Sequence, residues 1–229
     1  MPLVAACASP EASSDASPPS DLLANGEAVE TVEAATETLA PSYACNQLMG
    51  VSVLGEWFSA GFEAFVDDAR WQAISKLHAY VDLWADPAAT VWDTELTSPC
   101  ADGSTDPERV LFLACDWTYT TAAEWNAALT AVVENLKARY PALEHVEILT
   151  MLRAPGNQPC GAAGSPETVV QPVVDEAVAT VVAAYAGFVS AAPPFEAPDC
   201  DVFLLGGPHL LPDGKAAIAK LYGEYYATH

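Results

Sequence analysis

Apolar and polar positions divide the chain near Tyr43. Residues 8 to 40 carry seven acidic side chains, from Glu11 to Glu37, and no lysine, arginine or aromatic residue. Such a segment buries too little apolar surface to offset its ordering entropy. It reads as a disordered tether over residues 8–42, with room for a short helix over 21–39. From Tyr43 onward the pattern alternates between short apolar runs and longer stretches with helical spacing. "CNQLMGVSV" (45–53) is a strand ending in glycine, and "EWFSAGFEAFVDDA" (56–69) puts Trp57, Phe58, Phe62, Phe65 and Val66 near helical spacing. "WQAISK" (71–76) holds a strand with a turn or helix after it, and "TVWDTEL" (90–96) is a further strand candidate.

The second half is clearer. "RVLFLACDW" (109–117) is a buried strand, and residues 121–141 form a helix that Thr121 and Glu124 open as a capping box and Pro141 ends. "HVEILTML" (145–152) is the next strand. A helix beginning near Pro172 runs to about 187. "CDVFLL" (200–205) reads as the last strand, and a helix from Leu211 or Pro212 closes the chain. Strands alternating with helices of this length imply right-handed crossovers and a parallel sheet covered on both faces. Ligands of such sheets bind beyond the carboxyl ends of the strands. The segments leaving those ends are 52–55, 116–119, 153–160 and 206–209.

Composition narrows the partners. The chain has 229 residues, 52% of them hydrophobic, and a formal net charge of -23. That is enough for one sizeable core. So strong a negative charge is repelled by phosphate backbones and anionic surfaces, which excludes nucleic acid as a partner. No apolar stretch is long enough to span a bilayer. Val4-Ala5-Ala6-Cys7 resembles a bacterial lipobox, in which Cys7 would carry a lipid. Residues 1–7 then form a residual signal, and the only contact with a membrane is through that anchor. Five further cysteines in an exported chain allow two disulfides and one free thiol. Cys160 and Cys200 both sit in loops and form one candidate pair, Cys45 and Cys100 the other. Cys115, within an apolar run, reads as a buried thiol. The spacings fit no zinc site.

The loops at the strand ends hold a serine early and a histidine late. A serine hydroxyl needs a base to take its proton, and histidine is the usual one. Here the chain resembles the GDSL-type esterases of the SGNH hydrolase superfamily. Gly50-Val51-Ser52 stands for the family's Gly-Asp-Ser, and "GGPHLLPDG" places His209 and Gly214 in register with its last block. The resemblance covers residues 43–229. It implies a three-layer α/β/α fold with a mainly parallel, flavodoxin-like five-stranded sheet. It also implies Ser52 as nucleophile, its backbone amide as an oxyanion donor, His209 as general base, and no metal or organic cofactor.

The chain departs from the family at several places. Val51 replaces an aspartate, and Gly206 stands where the aspartate that orients the histidine belongs. Asp116 stands where an oxyanion-binding asparagine is expected, with Ala114 in place of a glycine, and residues 77–79 lack the second-block glycine. Arg153 and Asn157 are the candidates to compensate: the Asn157 amide as an oxyanion donor, Arg153 as a binder of an anionic substrate. Glu56 reads as a complement to a helix dipole. His78 and His145 read as structural. The expected function is an exported ester hydrolase, in the cell envelope or secreted, acting on an ester-bearing small molecule, a lipid or an acylated carbohydrate. The alternative is a catalytically inactive surface domain of this fold that binds a glycan or another ligand.

Overall fold

The computed structural model describes residues 43–67, 70–97, 99–160, 168–204 and 208–229. The lipobox cysteine Cys7, the tether and Gly206 lie outside them. The contacts divide the chain after Thr38, and every described residue belongs to the second unit.

Five strands form one sheet: β1 (Asn46–Val51), β2 (Trp71–Lys76), β3 (Arg109–Ala114), β4 (His145–Thr150) and β5 (Val189–Ala191). Their order is β2-β1-β3-β4-β5, and every pairing is parallel. This is the flavodoxin-like order, with helices on both faces of the sheet. Every residue of β1 and β3 is buried, as expected of central strands covered on two sides. Two glutamine amides in this layer donate within it, while Gln72 Oε1 is buried without a partner among the described residues. Gln72 Nε2 donates to Gln47 Oε1 (2.9 Å), and Gln47 Nε2 donates to the Tyr140 hydroxyl (3.2 Å).

On one face lie α1 (Ser52–Phe58) and α5 (Pro212–Tyr226), which pack against each other. Between them and the sheet sits an aromatic layer in which Trp57 stacks on Tyr222 at 4.5 Å and Phe62 meets Trp71 edge-on at 5.0 Å. The other face carries α2 (Val81–Ala85), α3 (Ala122–Arg139) and α4 (Pro172–Ala184). Trp84 anchors this side, edge-on to Trp92 and Phe112. Thr121 and Glu124 form the reciprocal capping box of α3. No helix among the described residues is long and apolar enough to cross a membrane.

Three elements differ from the sequence expectation. "TVWDTEL" is a 3-10 helix (Thr90–Asp93) instead of a strand; its apolar Val91 and Trp92 pack inward without joining the sheet. "CDVFLL" is a 3-10 turn (Cys200–Val202) followed by an isolated antiparallel bridge from Phe203 to Leu210. The fifth strand is instead Val189–Ala191, three residues that follow the α4 helix closely and are too short to leave a periodic signature. The helix expected over 56–69 starts earlier, at Ser52, and stops at Phe58. A left-handed Gly61 (φ 113°) then leads into a 3-10 turn at Phe62–Ala64.

Both expected disulfides are formed, Cys45–Cys100 and Cys160–Cys200, and Cys115 is a buried thiol. At the amino end of the sheet, Arg109 opens β3 inside an aromatic cage, its guanidinium 4.9 Å from the Tyr43 ring centre and 5.3 Å from that of Trp71. Its Nε donates to Asn46 Oδ1 (2.7 Å) and its Nη1 to the carbonyl of His229 (3.1 Å). Glu147 Oε2 lies 4.0 Å from Arg109, and its other oxygen accepts from the Tyr226 hydroxyl (3.0 Å). Burial raises the Glu147 carboxyl and lowers the Arg109 guanidinium, since each charge has lost water.

Candidate functional site

The order of the strands fixes where a crevice forms. β1 connects to β2 through α1 on one face, and β2 connects to β3 through α2 on the other. The direction in which strands are added to the sheet therefore reverses between β1 and β3, and the crossovers part at their carboxyl ends. Ser52 sits at that place, as the first residue of α1 directly after β1. Gly50 lets β1 approach β3 closely, since a Cβ there would stand 2.8 Å from Leu113 Cβ. A Cβ on Gly55 would meet the Ser75 side chain of β2. The two glycines flanking the serine thus serve the packing of strand and helix.

A cleft of about 210 Å³ opens above these ends. Ser52 lines it from β1, His78 from the loop after β2, Trp117 from β3, Met151 from β4, and His209 from the segment before α5. The sequence placed His209 after a last strand; the structure holds it in the short bridged loop instead. There Leu204 N–H donates to the His209 carbonyl (2.7 Å), and Leu211 N–H to Val202 (2.9 Å). Gly214 makes the loop's seat on α5 feasible, because a Cβ there would clash with the Val202 carbonyl.

The partner of His209 is Glu56. The imidazole Nδ1 lies 3.0 Å from Glu56 Oε1, and the Leu210 amide donates to Oε2 (2.9 Å). Lys215 Nζ stands 3.6 Å from Oε1. A carboxylate only accepts, so the Glu56 contact suits an imidazole with its proton on Nδ1 and its Nε2 directed away from Glu56. Glu56 is one helical turn after Ser52 on α1, so both project from the same side of that helix. The sequence reading assigned Glu56 to the helix dipole. The i, i+4 spacing from the serine was the signal that could have identified it.

His78 also enters the cleft, although it reads as structural in the sequence. Its backbone is left-handed (φ 58°), the conformation that glycine adopts most readily. It stands in the segment where the resemblance expects a glycine. Its ring stacks on Tyr80 at 6.1 Å, and Tyr80 meets Trp117 edge-on at 6.3 Å.

Asp116, Arg153 and Asn157 are not among the described residues lining this cleft. Asp116 is buried, and its Oδ1 accepts from Thr118 N–H (2.6 Å), the Thr118 hydroxyl (2.6 Å) and Tyr119 N–H (3.3 Å). It shapes the turn after β3. The Asn157 side chain brackets Val170, donating to its carbonyl and accepting from its amide at 2.9 Å each. Arg153 Nη2 pairs with Asp175 of α4 at 2.6 Å, and its backbone bridges to Glu196. Arg153 thus fastens the loop after β4 to α4, and Asn157 fastens it to the segment that leads into α4.

Neither a family model nor a curated protein matches this chain.

Proposed function

We propose that the chain is an exported serine hydrolase of the SGNH type that cleaves a carboxylic ester through an acyl-enzyme on Ser52. The observation that carries this reading is the position of His209, held through Nδ1 by Glu56 and facing the cleft that Ser52 also lines. In the first step Ser52 Oγ attacks the ester carbonyl while His209 Nε2 takes the hydroxyl proton. Glu56 stabilises the resulting imidazolium. The Ser52 amide, first in its helix and without an intrahelical acceptor, donates to the oxyanion. Collapse of the intermediate breaks the ester bond, and His209 returns the proton to the departing alcohol. Water then attacks the acyl-enzyme with His209 again as base. The carboxylic acid leaves and the proton returns to Ser52. Asp, the family's usual partner for the histidine, is replaced by a glutamate from the nucleophile's own helix.

The two disulfides support an oxidising compartment, and a lipid on Cys7 would keep the domain at the envelope. Ester-bearing small molecules and acylated carbohydrates are the substrate classes in view.

A fluorophosphonate probe tests the reading. It should label the purified protein, and Ser52→Ala should lose both the label and ester hydrolysis. An unlabelled wild type, or a Ser52→Ala variant that labels equally, defeats it. The alternative, a ligand-binding domain without turnover, would then stand; no side-chain amide among the described lining residues is its support.

A further inference from the structure

A second cavity, of about 430 Å³, opens beside the Ser52 cleft. The two share Cys115, Trp117 and Met151 as a common wall. The rest of the second cavity is built where α3 and α4 begin. Tyr119 and Trp125 close it on the α3 side and Val170 and Val174 on the α4 side. Asp116 is its charged wall residue, and one oxygen of that carboxylate is turned back onto the Thr118–Tyr119 turn. Burial, and next the Asp116 charge, raise the Tyr119 phenol, so it stays neutral. Its volume falls in the range of about 300–1,000 Å³ typical of small-molecule sites, which are mostly apolar with a few polar groups.

The two cavities lie toward different layers of the fold. Glu56 belongs to α1, and Leu210 and Lys215 flank the start of α5, so the proton relay is held by the helices on one face of the sheet. The apolar cavity is held by α3 and α4, on the other face. That asymmetry assigns the two halves of an ester. The alcohol must take its proton from His209 and so departs on the α1/α5 side. Water for deacylation must enter beside His209 as well. The acyl group remains bonded to Ser52 throughout, and the apolar space open to it is on the α3/α4 side.

We infer that the substrate is an ester of a medium-chain apolar acid, with its acyl chain lodged between the starts of α3 and α4. The inference rests on the serine-hydrolase reading of Ser52. A methylene is close in size to a water molecule, whose share of liquid volume is about 30 Å³, so a chain of roughly six to ten carbons fits with the mouth left open. Each methylene that reaches the cavity should raise kcat/KM about three- to fourfold.

The test uses p-nitrophenyl esters from acetate to dodecanoate, with the full chain and with Val174→Phe, which fills the cavity from α4. The half-buried neighbour change Val173→Phe is a second variant in case Val174→Phe fails to fold. In wild type, kcat/KM should climb from acetate to about the octanoate and then level or fall. Either variant should lower the octanoate-to-acetate ratio at least tenfold. An optimum at acetate, or an equal loss on both esters in the variants, overturns the inference. So does a rise along acetates of longer alcohols, which would put the leaving group in the cavity. Fluorophosphonate labelling of Ser52 in the same preparations separates the two levels. Label with an acetate optimum rejects the acyl assignment alone, and absence of label rejects the hydrolase reading with it.

Discussion

The two ends of the sheet treat polar groups in opposite ways. At the amino end, Arg109 and Glu147 are buried, faced by aromatic rings, and bonded to Asn46, Tyr226 and the chain terminus. At the carboxyl end, Ser52 and His209 are only half-buried, His78 holds a left-handed backbone, and Trp117 is exposed. The amino end completes the valences of its charges. The carboxyl end leaves a hydroxyl and an imidazole nitrogen facing open space. The charges of Arg109 and Glu147 are thus satisfied within the protein, whereas Ser52 and His209 line an open cleft, and the parallel sheet separates the two groups by its own length.

That contrast can be broken by substitution. The largest effect should come from Arg109→Met, which leaves Glu147 buried without its cation. A loss of about 3–5 kcal/mol in unfolding free energy is expected by urea denaturation, with labelling of Ser52 per folded molecule unchanged. A loss below about 1 kcal/mol would mean that the amino end is not the stabilising one. Glu56→Gln should do the reverse. It removes the charge that orients His209, so kcat should fall about 10²- to 10⁴-fold, while stability stays within about 1 kcal/mol. Unchanged kcat would remove Glu56 from the relay.

Gly214→Ala sharpens the comparison, because it touches both properties. Its Cβ would lie 2.9 Å from the Val202 Cα and carbonyl carbon, so α5 or the His209 loop must shift. A cost of about 1–3 kcal/mol together with a lower kcat is expected; full activity in the variant would show the loop to be independent of α5. The smallest effect concerns His145, at the amino end. Burial, and next the Arg109 charge, lower its pKa from the usual 6.5. Its neutral form is thus favoured by folding, a contribution present above pH 6.5 and lost as pH falls through the lowered value. Stability of the wild type relative to His145→Gln should decline over that acid range. A flat difference across pH would show that the imidazole is as accessible folded as unfolded.

Much of the fold was legible because its signals are local. Central strands buried on both faces give continuous apolar runs, and the Thr121–Glu124 box and Pro172 mark helix starts within a few residues. The two candidate cysteine pairs are the ones that form, although the sequence alone did not decide the connectivity. What the sequence hid was short or tertiary. The strand Val189–Ala191 has three residues and no period. Phe203 and Leu204 are apolar enough to mimic a strand, yet they bridge back to the loop at His209 and Leu210. In the site, Ser52 and His209 were visible as residue types at strand ends. Glu56 was visible only as a charge near a helix start, because its partner lies 153 residues away. Asn157 suggested a free amide, and its loop supplied Val170 as a nearer partner.

Glu56 also changes how such a site can be inherited and recognised. Ser52 and Glu56 travel together in the pentapeptide "SVLGE", their mutual register set by a single turn of helix. Only one long-range alignment, that of His209, remains for the folded chain to achieve. In the proposed mechanism the acidic partner of the histidine then needs no place beside it in the sequence. The proposed mechanism thus corresponds to a pattern of Ser-x-x-x-Glu at the end of a first strand, joined to a histidine just before a helix.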